Sequence, residues 1–313
     1  MYERTKFLSM IILEIPAILL SIVILVYFVL DRRARSKLKN HGWIVLLLSN
    51  FLQLIINLPM PMSYYYRGTV WPQTNSYCTW WATCEFSFNS IGLFLMGWIS
   101  IERHFIVFHS HTLLQGYWRK CLFHVFPIIL CLILSPIFFF VFIVISPLCT
   151  SDWDFDLLGC GAPCYFGEYF VNQFDFYFNL LVPTFIIVLA NVMLVVRVIH
   201  QKVSRQRIIH WRQHRRMILQ LWIISSLYVA FWLPVSITLL VQITADPSFM
   251  MNSLTVMQFL TYLIPLLLPM MCLSTLPELT KKILRRITNS RSNVVEAMSG
   301  NRNVRVGIAI TRI

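Results

Sequence analysis

Seven stretches of this chain are each long and apolar enough to cross a lipid bilayer as a helix, at about 7–30, 43–64, 80–107, 121–145, 176–200, 217–243 and 254–276. A hydrocarbon core of about 30 Å needs about 20 helical residues, at about 1.5 Å each. Of the 313 residues, 58% are apolar and 12% charged. A soluble domain carries roughly 25% charged residues, so this chain has too few polar side chains to cover a water-facing surface. The excess must face lipid. The expected fold is an all-α membrane protein, a seven-transmembrane helix bundle. Pro16, Pro59, Pro136, Pro183, Pro234, Pro265 and Pro269 fall inside the spans, where neighbouring helices can satisfy the carbonyls they free.

Lysine and arginine set the orientation. The segments after spans 1, 3, 5 and 7 hold 5, 3, 7 and 8 of them, 23 of the 26, and the other side holds Arg4, Lys6 and Arg67. An odd number of spans with this bias puts the N-terminus outside the cell and the C-terminus in the cytosol, in a multi-pass protein of the plasma membrane. A net charge of +13 would suggest nucleic acid in a soluble protein. Here the basic residues lie between apolar runs, so anionic membrane lipids are the expected partner and nucleic acid is not. Residues 1–6 read as an extracellular N-terminus, and the first span as an uncleaved signal anchor. The seven-span domain covers 7–276, a short amphipathic cytosolic helix 277–288, and a disordered basic tail 289–313. Cys78, Cys149, Cys160 and Cys164 fall on the oxidising side, where disulfides persist; Cys84, Cys121, Cys131 and Cys272 lie in or at the ends of spans as packed thiols.

The third span ends in Ile101-Glu102-Arg103-His104. Cys78 stands 25 residues before Arg103, and Trp71 seven before that. Pro59 follows Asn50 by nine, Pro183 lies in span 5, and span 6 carries Phe231-Trp232-Leu233-Pro234. Jointly these spacings resemble the rhodopsin-like G-protein-coupled receptors, over 43–277 in outline. The chain departs from that pattern in span 7, Leu268-Pro269-Met270-Met271-Cys272, where the family usually reads Asn-Pro-x-x-Tyr. Asn50, Gly92 and Leu268 replace the residues that hold a sodium ion in many members, so no sodium site is expected.

The resemblance implies a cell-surface receptor that binds an extracellular ligand in the outer half of the bundle and activates a heterotrimeric G protein by opening its cytosolic face. Glu102, Arg103 and His104, with Trp232, Pro234 and Pro269, are the implied switch residues. Arg103 is expected to pair with Glu102 at rest and to meet the G protein when span 6 swings out. Cys78 is expected to bridge to the loop before span 5. Four cysteines allow three connectivities: Cys78–Cys164 with Cys149–Cys160 is favoured, and Cys160 is the alternative partner of Cys78.

Glu85 is the most informative single residue, because a carboxylate inside a span is costly and marks a functional site by default. It lies seven residues, about 10 Å, inward of Cys78 and shares a helix face with Arg103, 18 residues and five turns away. Glu85, Asn89, Asn179, Trp232, Gln258 and Tyr262 are the candidate ligand-binding residues, for a polar ligand with a cationic small molecule or short peptide in view. Tyr262 matches a tyrosine that often partners this acid in the family, and Asp175 would add a second negative contact or be solvated. The rival reading is that Glu85 only holds helices together.

No cofactor and no metal is implied. Span 7 has no lysine for a retinal Schiff base, and the histidines sit mostly at the cytosolic ends, without catalytic spacing, so no enzyme is expected. The competing class is a multi-span transporter or channel without signalling activity, for which inverted repeats or a charged filter ring would speak; neither is visible.

Overall fold

A computed structural model describes residues 2–36, 38–108, 121–146, 148–203, 208–246 and 248–275. Among the described residues, seven helices are long and apolar enough to cross a membrane: α1 (Glu3–Leu30), α2 (Asn40–Arg67), α3 (Asn75–Arg103), α4 (Cys121–Ile145), α5 (Tyr169–Val196), α6 (Leu219–Thr244) and α7 (Ser253–Ser274). α1, α2, α3, α5 and α7 begin somewhat earlier than apolarity alone indicates, α4 begins where expected, and α6 begins two residues later. Helix already starts at Tyr2, so most of the expected N-terminal segment 1–6 belongs to the first helix. The compact unit is Met1–Cys272; in the second, Leu273–Ile313, residues 273–275 are described. The expected amphipathic helix 277–288 and tail 289–313 lie outside the described residues.

The spine of the unit is α3: in an 18-residue apolar stretch of it 56% of the residues are buried, against 22% in the corresponding stretch of α1. It packs against α2, α4 and α5 and reaches α6. Glycine permits part of this closeness. A Cβ on Gly42 of α2 would stand 2.9 Å from Ile99 Cγ1 of α3. Polar side chains also tie helix to helix: Ser225 donates to Asn191 Oδ1 at 2.6 Å, joining α6 to α5, and Thr238 reaches Met257 Sδ at 3.5 Å, joining α6 to α7.

The prolines act by widening the helix. Three π-helical turns end two residues before a proline: Gln53–Asn57 before Pro59, Cys121–Val125 before Pro127 and Phe176–Leu181 before Pro183. A fourth, Phe140–Ile145, follows Pro136 and likewise ends two positions before a proline in the sequence, Pro147. Proline cannot donate to the carbonyl four residues back and its ring crowds that carbonyl, and the wider turn relieves both constraints. In α7 the helix breaks instead. Met251–Thr261 stops at Tyr262, and Leu263–Thr275 resumes the helix with Pro269 inside it.

The loop between α4 and α5 folds over one end of the bundle. It is stapled by Cys78–Cys160 and Cys149–Cys164, which corrects the favoured pairing of Cys78 with Cys164 in favour of its alternative. A tight turn at Leu158–Cys160, with Gly159 at φ 70° and Cys160 at φ 63°, swings Cys160 toward the head of α3. Cys164 sits on the loop's own stem, its backbone N–H bonded to Ser151 at 3.2 Å and its Sγ 3.2 Å from Ser146 Oγ. Around the first bridge, Met60, Val70, Trp81, Trp153 and Phe155 form an apolar plug. Of the four other cysteines, Cys84 and Cys272 are packed as expected, but Cys121 is exposed.

Candidate functional site

Glu85 sits on α3 two turns inward of the Cys78 bridge, and both of its oxygens are engaged. The indole N–H of Trp81 donates to Oε2 at 2.7 Å, and the hydroxyl of Tyr262 donates to Oε1 at 2.5 Å. Trp81 is one helical turn before Glu85, on the same face, and fully buried. Tyr262 comes from the break in α7 and packs with Leu54, Leu58, Met62 and Leu266. A carboxylate set among such groups holds its charge only with donors of this kind. One turn deeper, Asn89 Oδ1 accepts from Gln53 Nε2 at 2.9 Å, joining α3 to α2.

Asn179 belongs to a second cluster. Its amide donates to Asp175 Oδ1 at 2.7 Å and its oxygen accepts from Ser135 at 3.1 Å, linking α5 to α4. Asp175 is not solvated: it is buried, and the hydroxyl of loop residue Tyr165 covers its other oxygen at 2.9 Å. Burial, then the adjacent carboxylate, pushes the Tyr165 phenol well above its usual range, so it remains a donor. Phe166, next in sequence, packs edge-on to Phe86, the neighbour of Glu85. The loop thus reaches the same layer of the bundle as the acid.

Of the remaining candidates, Trp232 is half-buried and its carbonyl accepts from Ser236 at 2.8 Å. Gln258 is exposed, and its carbonyl accepts from Thr261 at 2.7 Å. Among the described residues neither is hydrogen-bonded to Glu85 or Tyr262. The six candidates therefore separate into a bonded pair, two residues tied to neighbouring helices, and two that stand apart.

At the opposite end of α3, Arg103 is buried with its guanidinium 5.9 Å from the ring centre of Trp43, within cation–π reach. Glu102, the sequence neighbour of Arg103, also has a partner on another helix. Glu102 Oε1 meets His124 Nδ1 of α4 at 2.5 Å. Consecutive helical residues point about 100° apart and do not face each other, so Glu102 turns to α4. Pro234 lies inside α6 and Pro269 inside α7. The side chain of His104 lies outside the described residues.

A family model described as 7 transmembrane receptor (rhodopsin family) matches residues 21–272. The chain belongs to the rhodopsin family of seven-transmembrane receptors. No curated protein matches it significantly. In this receptor, a multi-pass membrane protein, the Glu85–Tyr262 contact joins two residues that the sequence placed together. Trp81, Gln53, His41 and His124 were missed. Trp81 was findable, since it stands four residues before Glu85, and Gln53 and His124 are polar interruptions of apolar runs. His41 had no such signal, because it sits among other polar residues at the start of α2.

Proposed function

We propose that this receptor binds a polar, cationic ligand from the extracellular side at Glu85 and Tyr262, and activates a heterotrimeric G protein through its Arg103 end. The observation that carries the reading is the Glu85 carboxylate, inside the bundle below the Cys78 bridge and held by donors from two helices. Both bonds are donated to the carboxylate, and an ionised Glu85 keeps lone pairs that a ligand ammonium can meet. Tyr262 lies at the break of α7, so a ligand that draws on Glu85 bears on the joint of that helix. Coupling to the far end requires the ligand to prefer one of two arrangements of the bundle.

The orientation proposed has the disulfide end outside and the Arg103 end in the cytosol of a plasma-membrane protein. It is supported by the two disulfides at one end and by 23 of 26 basic residues on the other side. Asn89, Asn179, Trp232 and Gln258 are proposed as the wider lining, and Glu102, Arg103, His104, Trp232, Pro234 and Pro269 as switch residues. The test is a screen of amine ligands for guanine-nucleotide exchange on a co-expressed G protein. The expected result is a cationic agonist whose potency falls at least tenfold in Glu85→Gln and whose exchange activity is lost in Arg103→Ala. Solute flux that survives Arg103→Ala, with no exchange activity, sinks the reading.

A further inference from the structure

Three hydrogen-bonding contacts in series cross the Arg103 end. His41 Nε2 meets the carbonyl of Arg35 at 2.9 Å, His41 Nδ1 meets His124 Nε2 at 3.0 Å, and His124 Nδ1 meets Glu102 Oε1 at 2.5 Å. Together they tie the turn after α1 to α2, α4 and α3. His124 and Glu102 are 2% and 6% exposed, so water has little access to replace a missing partner.

Each contact needs one proton between its two heavy atoms. The Arg35 carbonyl only accepts, a carboxylate only accepts, and each neutral imidazole brings a single N–H. Two neutral imidazoles and a carboxylate therefore bring two protons to three contacts. A third must be bound, as imidazolium on His41 or His124 or as carboxylic acid on Glu102. In all three arrangements the trio carries no net charge.

We propose that His41, His124 and Glu102 form a one-proton clasp, closed with three protons and opened by loss of one, which releases a charged Glu102 beside Arg103. The other charged or titratable groups on the elements that meet there, among the described residues, are Arg103 on α3, Cys121 at the head of α4, and Asp31, Arg32, Arg33 and Arg35 in the turn. The arginines keep their charge throughout the relevant range.

The sign follows from proton counting. The closed trio holds three protons and the form that has lost one holds two, so a rise in pH favours the open form. Closure weakens as pH rises, by up to about tenfold per pH unit, and weakens again at low pH, where a fourth proton sets two donors against each other. The clasp makes the Arg103 end responsive to proton concentration on its own side of the membrane.

The test needs neither ligand nor G protein, so its outcome is independent of the receptor reading above. The full chain carrying Cys131→Ser is labelled at the exposed Cys121 with an environment-sensitive fluorophore, placed in phospholipid nanodiscs and titrated from pH 5.5 to 8.5. The expected signal moves from the closed toward the open form on the alkaline side. Glu102→Gln should abolish the alkaline change while staying closed, because its amide donates to His124 Nδ1 and completes three bonds with no added proton. His124→Phe should report the open form at every pH. A flat titration of the labelled chain, or an alkaline change kept by Glu102→Gln or by His124→Phe, overturns the proposal.

Discussion

The side-chain amide of Asn50 donates a hydrogen bond of 3.0 Å to the carbonyl of Pro265, the acceptor from which Pro269 withholds its helical donor. Position 269 would ordinarily supply the N–H to the carbonyl four residues back, and proline has none. A residue of α2 thus completes the backbone of α7. This explains why an amide suits the position better than a carboxylate, which cannot donate unless protonated.

Asn50→Ala should therefore destabilise the receptor by about 1–3 kcal/mol, the range for a buried acceptor left unmet. In a Pro269→Ala background the helix supplies its own N–H, and the same substitution should cost less. A double-mutant cycle on thermal unfolding in detergent isolates the coupling. Polar contacts between membrane helices average about 0.6 kcal/mol. A coupling of zero would mean that Asn50 does nothing for the Pro269 gap.

Glu85→Gln should change charge with little change in fold. The Gln carbonyl accepts from Trp81, and its amide donates to the Tyr262 oxygen, so both contacts persist with one reversed. Glu85→Leu leaves the buried Trp81 N–H and Tyr262 O–H without that partner, at about 1–3 kcal/mol for each group left unmet. Melting curves should place Gln near the parent and Leu well below it. Loss of cationic-ligand potency in the Gln variant then reports charge pairing, and a melt as low as that of Leu would remove that interpretation.

The bundle and its central acid were legible because both follow from one-dimensional patterns. Apolar length gives the spans, and an isolated carboxylate at 85 stands out against them. The partnership with Tyr262 was reachable only through family likeness, since 177 residues separate the two. What was not legible depended on loop trajectory and side-chain direction. Cys160 and Cys164 are four apart and equally able to reach Cys78, until the turn at Gly159 decides. Glu102 has Arg103 as a sequence neighbour but not as a facing one, and its partner 22 residues on is set by how α4 lies against α3. Asn179 is polar at a suitable depth, yet Asp175 one turn away claims it.

The loop bridge at Tyr165 and Asp175 gives a further test of stability. Tyr165→Phe removes the hydroxyl from a buried carboxylate and should cost about 1–3 kcal/mol. Asp175→Asn should be tolerated better, because its oxygen can accept from Asn179 while its amide donates to the tyrosine. Thermal unfolding ranks the two, and limited proteolysis reports whether the α4–α5 loop loosens in Tyr165→Phe. The opposite ranking would place the cluster's value in packing rather than in hydrogen bonding.

The disulfide pattern separates two stapling schemes by which thiol each serine variant sets free. With Cys78 bonded to Cys160 and Cys149 to Cys164, Cys164→Ser liberates Cys149 and leaves the α3 bridge whole. Under the alternative scheme the same variant would liberate Cys78 and break that bridge. Alkylation of the unreduced, denatured receptor followed by peptide mass analysis should find the new adduct on Cys149, with Cys78 and Cys160 still joined. The consequences differ in size as well. The bridge from Cys78 closes a loop across 82 positions and the other across 15, and loop-entropy stabilisation grows with that length, from about 3 kcal/mol at 15 residues to nearly 5 at about 100. Cys160→Ser should therefore lower the melting temperature more than Cys164→Ser. It also frees Cys78 within the apolar plug of Val70 and Trp81, where that thiol should react with alkylating reagents only after unfolding.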